Sequence, residues 1–167
     1  MQSRSAETRN RVIETTISLI NTGGYTGTSM DDIIKASGVK KGNLYFHFSS
    51  KEELIIQVLK RAKDDYFAYL NKAVSLDSPI KNIKSLLEAV YRFHKKRGLT
   101  GGCIFGNIIL ELADSNPRIS SIAESALQQW IDLTAGLISD AVSTGEIKIP
   151  LTAKSAAEHI VSSMEGG

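Results

Sequence analysis

One cysteine, Cys103, stands in 167 residues. That excludes a disulfide framework and a cysteine-rich zinc site, and it fits a reducing, cytoplasmic compartment. The three histidines, His47, His94 and His159, are too scattered to argue for a metal. No apolar run approaches the roughly 18 residues that a membrane span needs. The segment from Met1 to Asn10 lacks the apolar core of a signal peptide. No stretch alternates apolar and polar residues with period two, so no sheet is expected. Internal repeats, low-complexity segments, a Ser-His-Asp arrangement, a phosphate loop and a dinucleotide glycine motif are all missing, and no cofactor is expected.

What is present belongs to an ordinary folded protein, with 42% hydrophobic and 23% charged residues. The net charge of +2 is unevenly spread. Residues 1–51 hold seven basic side chains (Arg4, Arg9, Arg11, Lys35, Lys40, Lys41, Lys51) against four acidic ones (Glu7, Glu14, Asp31, Asp32). The remainder carries 13 basic against 14 acidic. A basic head on a near-neutral body fits nucleic-acid binding, although an excess of three charges also arises by chance.

The periodicity is helical nearly throughout. Val12, Ile13, Ile17 and Ile20 recur at helical spacing up to Gly23-Gly24. Ser29 followed by Asp32 is a capping-box pattern that opens a short helix with Met30, Ile33 and Ile34 on its apolar face. Ser37-Gly38 closes it, and a third short helix is expected from about Lys40 to His47. Ser50 with Glu53 opens a long helix through Leu54, Val58, Tyr66, Leu70 and Ala73. Ser78-Pro79 opens the next, with Ile83, Leu87, Val90 and Tyr91 as its buried stripe and Gly98 as its end. An apolar helix is expected over Ile104 to Ala113, a long one from Asn116-Pro117 to Gly145, and a last one from about Thr152. That last helix is still running at Met164, and Glu165-Gly166-Gly167 does not read as a natural end, so native residues are expected to follow.

The segment from Thr28 to Leu54, TSMDDIIKASGVKKGNLYFHFSSKEEL, concentrates the function. It places Lys40, Lys41, Asn43, Tyr45 and His47 on or beside a short exposed helix that follows a tight glycine turn. Phe46 and Phe48 are expected to point inward, with Leu44 undecided. Base edges are read from the start of such a helix, and phosphates are held by Lys, Tyr, Ser, Thr and helix N-termini. Gly42 lets the backbone approach DNA closely. A solvated helical face with aromatic anchors is the alternative.

The same segment resembles the signature of the TetR family of transcriptional regulators. The matching residues are Thr28 or Ser29, Ile33, Ala36, Gly38, Val39, Gly42, Leu44, Tyr45, His47, Phe48, Lys51, Glu52 and Leu54, with Gly24-Tyr25 in the approach. Ser37 and Lys40 are small departures. The stretch Gly102-Cys103-Ile104-Phe105-Gly106-Asn107, followed by Glu111 and Asp114, resembles one branch of the family's regulatory domains. The resemblance implies an all-α fold, with a three-helix helix-turn-helix head (residues 1–50) on a larger helical-bundle body (residues 51–167) that senses a ligand and dimerises. It implies that Thr28, Tyr45, His47 and Lys51 hold phosphates, that Lys40, Lys41 and Asn43 face the groove, and that Leu44, Phe48 and Leu54 pack the head. Ser29 and Gly42 complete the expected DNA-binding set. The partners expected from it are double-stranded operator DNA, a second copy of the chain and a small-molecule effector, with release from a palindromic operator as the mode of repression.

In the body, Tyr66, Tyr69, Tyr91, Phe93, His94, Phe105 and Trp130 are candidates to line a cavity, plain core being the alternative for each. A largely apolar or aromatic effector is expected there. Cys103 joins this set: a lone cysteine is usually a small buried hydrophobe, but a helix N-terminus lowers thiol pKa. The face bearing Ala157, Ile160, Val161 and Met164, with the end of the long helix before Gly145, is the expected two-fold interface. A small helical enzyme or ligand carrier, or a helical interaction module, remains the alternative. DNA binding that weakens steeply with salt separates a regulator from both.

Overall fold

The computed structural model describes residues 4–96 and 101–166. Among them are eight helices and no strand: α1 (Arg4–Gly23), α2 (Met30–Ser37), α3 (Lys41–His47), α4 (Lys51–Ala73), α5 (Pro79–Lys96), α6 (Ile104–Leu112), α7 (Pro117–Ser143) and α8 (Ala153–Glu165). The helix end expected at Gly98 lies outside the described residues. The chain forms two compact units. One comprises Met1–Lys63 with Cys103–Ala123, the other Asp64–Gly102 with Glu124–Gly167.

In the first unit, α1 packs on α2, α3 and α6. Val12, Ile13, Ile17 and Ile20 form the buried stripe of α1, and Ile33, Leu44, Phe48, Leu54 and Ile108 are buried in the same unit. The caps follow the local sequence closely. Ser29 is the N-cap of α2, its hydroxyl accepting from Asp32 N–H at 3.1 Å, while the Asp32 carboxylate accepts from Ser29 N–H at 2.8 Å. Gly38 closes α2 in the left-handed region, at φ 65°, and donates its N–H to Ile34 O at 3.0 Å. Glycine takes that conformation without a Cβ penalty, which permits the tight turn into α3.

At the start of α4 the Ser50 hydroxyl accepts from Glu53 N–H at 3.1 Å. The return half of the expected capping box does not close on Ser50. Glu53 reaches one residue further, to Ser49 N–H at 2.8 Å, because Ser49 offers both an amide and a hydroxyl to the same carboxylate oxygen.

The second unit is centred on Ile83, Ile138, Ala141 and Ala157, with Leu87, Ile131, Ile147 and Ile160 packed against them. The N-terminus of α5 is capped from outside its own helix. Glu146 accepts from the Ser78 hydroxyl at 2.7 Å and from Ile80 N–H at 3.1 Å. Thr152 caps α8 through Ser155 N–H at 3.1 Å.

Candidate nucleic-acid interface

The short α3 is fixed from below and open above. Leu44 and Phe48 are buried, whereas Lys40, Lys41, Gly42, Asn43 and Tyr45 are exposed. Phe46 corrects the expectation of an inward ring, for it is 80% exposed. The cause is angular. Leu44 takes the inward side, and a residue two further on lies about 200° round the helix. His47 is half-buried, its ring edge-on to Phe46 at 5.2 Å between centroids. A Cβ built at Gly42 meets nothing within 4 Å. No intramolecular packing requires a glycine there, although glycine inside a helix costs about 0.5–1 kcal/mol relative to alanine.

Two expected phosphate ligands have other partners. Thr28 is only 3% exposed, and its hydroxyl donates to Gly24 O at 2.8 Å. Lys51 Nζ donates to Tyr25 O at 2.7 Å and stands 4.0 Å from the centroid of the Tyr25 ring. Burial pushes the Lys51 amine below its ordinary pKa, against the opposing pull of Glu111 and Asp32. Burial, with the Glu52 charge nearby, raises Tyr25. Ser29 is exposed but its hydroxyl is engaged in the capping box.

The loop between α1 and α2 has a further partner that sequence reasoning did not assign. Glu111, on α6, accepts from Tyr25 N–H at 3.1 Å and from Thr26 N–H at 2.9 Å. Arg118 pairs with Glu52 at 3.0 Å, joining the start of α7 to the first turn of α4. The only signal in the sequence was the presence of Glu111 in the regulatory-domain stretch.

The candidate ligand residues do not share one unit. Cys103, the half-buried N-cap residue of α6, and the buried Phe105 belong to the first unit. Tyr66, Tyr69, Tyr91, His94 and Trp130 belong to the second. There Tyr66 meets Phe93 at 4.9 Å and Trp130 at 6.2 Å, both edge-on, and Tyr69 meets Phe93 at 5.5 Å. The Trp130 indole N–H is buried with no hydrogen-bond acceptor among the described residues. His94 lies beside Phe93 at 5.7 Å. Tyr91 departs from its expected buried stripe: it is 54% exposed, with Lys95 over its ring at 5.7 Å.

On α8, Ala157 and Val161 are buried within the protomer itself, so they have no area left for a partner. Ile160 and Met164 are half-buried. Among the described residues no group of His, Cys, Asp and Glu is arranged to hold a metal ion. None of the described helices is long and apolar enough to cross a membrane.

A glycine-turned helix pair, with the second helix presenting lysines, an asparagine and a tyrosine outward, defines a helix-turn-helix head of the DNA-binding class. The family model described as "Bacterial regulatory proteins, tetR family" matches residues 12–58. The model "Tetracyclin repressor-like, C-terminal domain" matches residues 79–167. The chain belongs to the TetR family of bacterial transcriptional regulators. It is 34% identical over 108 residues to an HTH-type transcriptional regulator in the lacX 3′ region of Lactococcus lactis subsp. lactis, covering 64% of this chain and 55% of that one. It is 34% identical over 85 residues to IcaR, the HTH-type negative transcriptional regulator of the biofilm operon icaADBC in Staphylococcus aureus, covering 51% of this chain and 42% of that one. The chain thus spans about half the length of these relatives. A TetR transcriptional regulator from Chloroflexus aurantiacus J-10-FL superposes with a TM-score of 0.87 at 29% identity, over 98% of this chain and 83% of that one.

Proposed function

We propose that the chain acts as a ligand-released repressor: a cytoplasmic homodimer that reads a palindromic operator through α3 and works by binding rather than turnover. The outward face of α3 carries this reading, with Lys41, Asn43 and Tyr45 exposed on a helix anchored by Leu44 and Phe48. Gly42 supports it, since a helical glycine with open space around it serves an approaching backbone better than it serves the fold. Residues 1–50 act as the reading head, and residues 51–167 as the sensing and dimerising body.

The effector is a largely apolar or aromatic molecule received by Tyr66, Tyr69, Phe93 and Trp130. The unpartnered Trp130 N–H favours one that carries a hydrogen-bond acceptor, because a buried donor left unpaired is costly. The partner face rests on Ile160, Met164 and the end of α7, where Val142 is exposed.

Selection from a random duplex pool tests the reading. The parent should enrich a palindromic site. Lys41→Ala and Tyr45→Phe should each bind that site more weakly while keeping parental helicity. Variants that bind like the parent overturn the assignment to α3.

A further inference from the structure

We infer that Glu111 is a positioning residue for DNA binding: from the last turn of α6 its carboxylate holds the loop between α1 and α2, and through that loop the N-terminus of α2. The inference rests on the DNA-binding reading above and adds a part to it.

The loop is gripped from two sides. Glu111 takes its two amides, Tyr25 N–H at 3.1 Å and Thr26 N–H at 2.9 Å. Lys51, from α4, takes the carbonyl of the same Tyr25 at 2.7 Å. Both contacts pair a charged group with the backbone, the stronger kind of hydrogen bond. The backbone is shaped to admit the carboxylate. Gly24 adopts φ 71°, and a Cβ placed on it would run into Glu111 Oε1. The left-handed conformation closes α1, with Gly24 N–H on Ile20 O at 2.9 Å, and the missing side chain leaves room for the carboxylate. From this loop the chain passes through Thr28, tied back to Gly24 O, directly into the Ser29 cap of α2. Loosening residues 24–26 loosens the start of the helix on which α3 is turned.

The placement of α6 gives the contact a second consequence. Cys103 and Phe105 stand at its first turn and Glu111 at its last. A nine-residue helix spans about 13 Å. A group that displaces the first turn of α6 displaces Glu111 with it and withdraws the acceptor from Tyr25 and Thr26.

The test uses the full chain, with the duplex that the parent selects as probe. Glu111→Gln keeps the shape and one of the two acceptors; Glu111→Ala removes both. Glu111→Ala should weaken duplex binding by about 5-fold or more, the low end of typical coupling between sites, and Glu111→Gln by less. The salt slope should stay parental in both, because Glu111 touches no phosphate; a lost phosphate contact would lower it by about one. The amides of Tyr25 and Thr26 should exchange with solvent faster in Glu111→Ala. Adding Glu111→Ala to Gly24→Ala should do little further harm, since the clash and the contact are the same event. Parental duplex affinity with unchanged exchange at both amides overturns the inference and leaves the reading by α3 intact. If the parent itself enriches no duplex, the DNA-binding reading fails instead, while the amide exchange still reports whether the contact forms.

Discussion

Phe46 and Phe48 stand two residues apart and serve opposite ends. Phe48 is buried beneath α3, and Phe46 is exposed on its outer side. Truncating Phe48 to alanine should cost about 3–5 kcal/mol of stability, as large buried aromatics do. Phe46→Ala should stay within about 0.5 kcal/mol of the parent, as surface changes do. Urea unfolding of both variants checks the pair, and equal losses would contradict the orientation of α3. This contrast was not legible in the sequence. α3 has seven residues, too few for a periodic stripe to show itself, and an aromatic ring defaults to an inward expectation. Tyr91 misled in the same way, its body fitting the apolar spacing of α5 while its ring lies outward beside Lys95. Thr28 and Lys51 show the converse limit. Family resemblance directs them to phosphate, whereas the fold engages both with carbonyls around Gly24 and Tyr25.

Among the elements, α2 shows how far local sequence determines a helix. Ser29, Asp32 and Gly38 are each legible, because capping is a matter of side-chain reach within four residues and needs no knowledge of the rest of the chain. Ser29→Ala should destabilise the protein by about 1 kcal/mol, within the range of lost N-caps. Gly38→Ala places a Cβ in the left-handed region and should cost about 1–2 kcal/mol. Thermal melts of the two variants check both figures. The Asp32 carboxyl is held below its ordinary pKa by the Ser29 hydroxyl and amide. Its contribution is therefore complete above the unfolded value of about 3.9 and fades as pH falls through the lower folded value. The gap in melting temperature between the parent and Asp32→Ala should be constant from neutral pH to about pH 5 and shrink below about pH 4. A gap that widens on acidification would reverse the sign. Contacts between distant elements were beyond sequence reading. Nothing in the spacing announces that Glu146 caps α5 or that Glu111 meets Tyr25, because those partners are 66 and 86 residues apart.

At the scale of the whole molecule, α4 and α7 each contribute residues to both compact units. The all-α architecture and the eight helices among the described residues were legible, since apolar spacing and caps recur along nearly the whole chain. The grouping of α6 with the first three helices was not, because it depends on how surfaces meet. If the effector is sensed at Tyr66 and Tyr69, the same helix that carries them begins at Lys51, so ligand and DNA are coupled through α4. A coupling of about 1–3 kcal/mol weakens DNA binding roughly 5–150-fold, and DNA must weaken the ligand by the same factor. Trp130, the single tryptophan, is the natural reporter. Titrating a compound that changes its fluorescence, with and without the selected duplex, should give equal and opposite shifts in affinity; identical affinities would end the switch. Whether α3 reads duplex DNA is decided by the salt dependence of binding in the parent and in Lys41→Ala. The logarithm of the binding constant should fall linearly with the logarithm of salt concentration, and Lys41→Ala should bind more weakly than the parent at each salt concentration. Binding that is indifferent to salt, or a Lys41→Ala variant that binds like the parent, would contradict it.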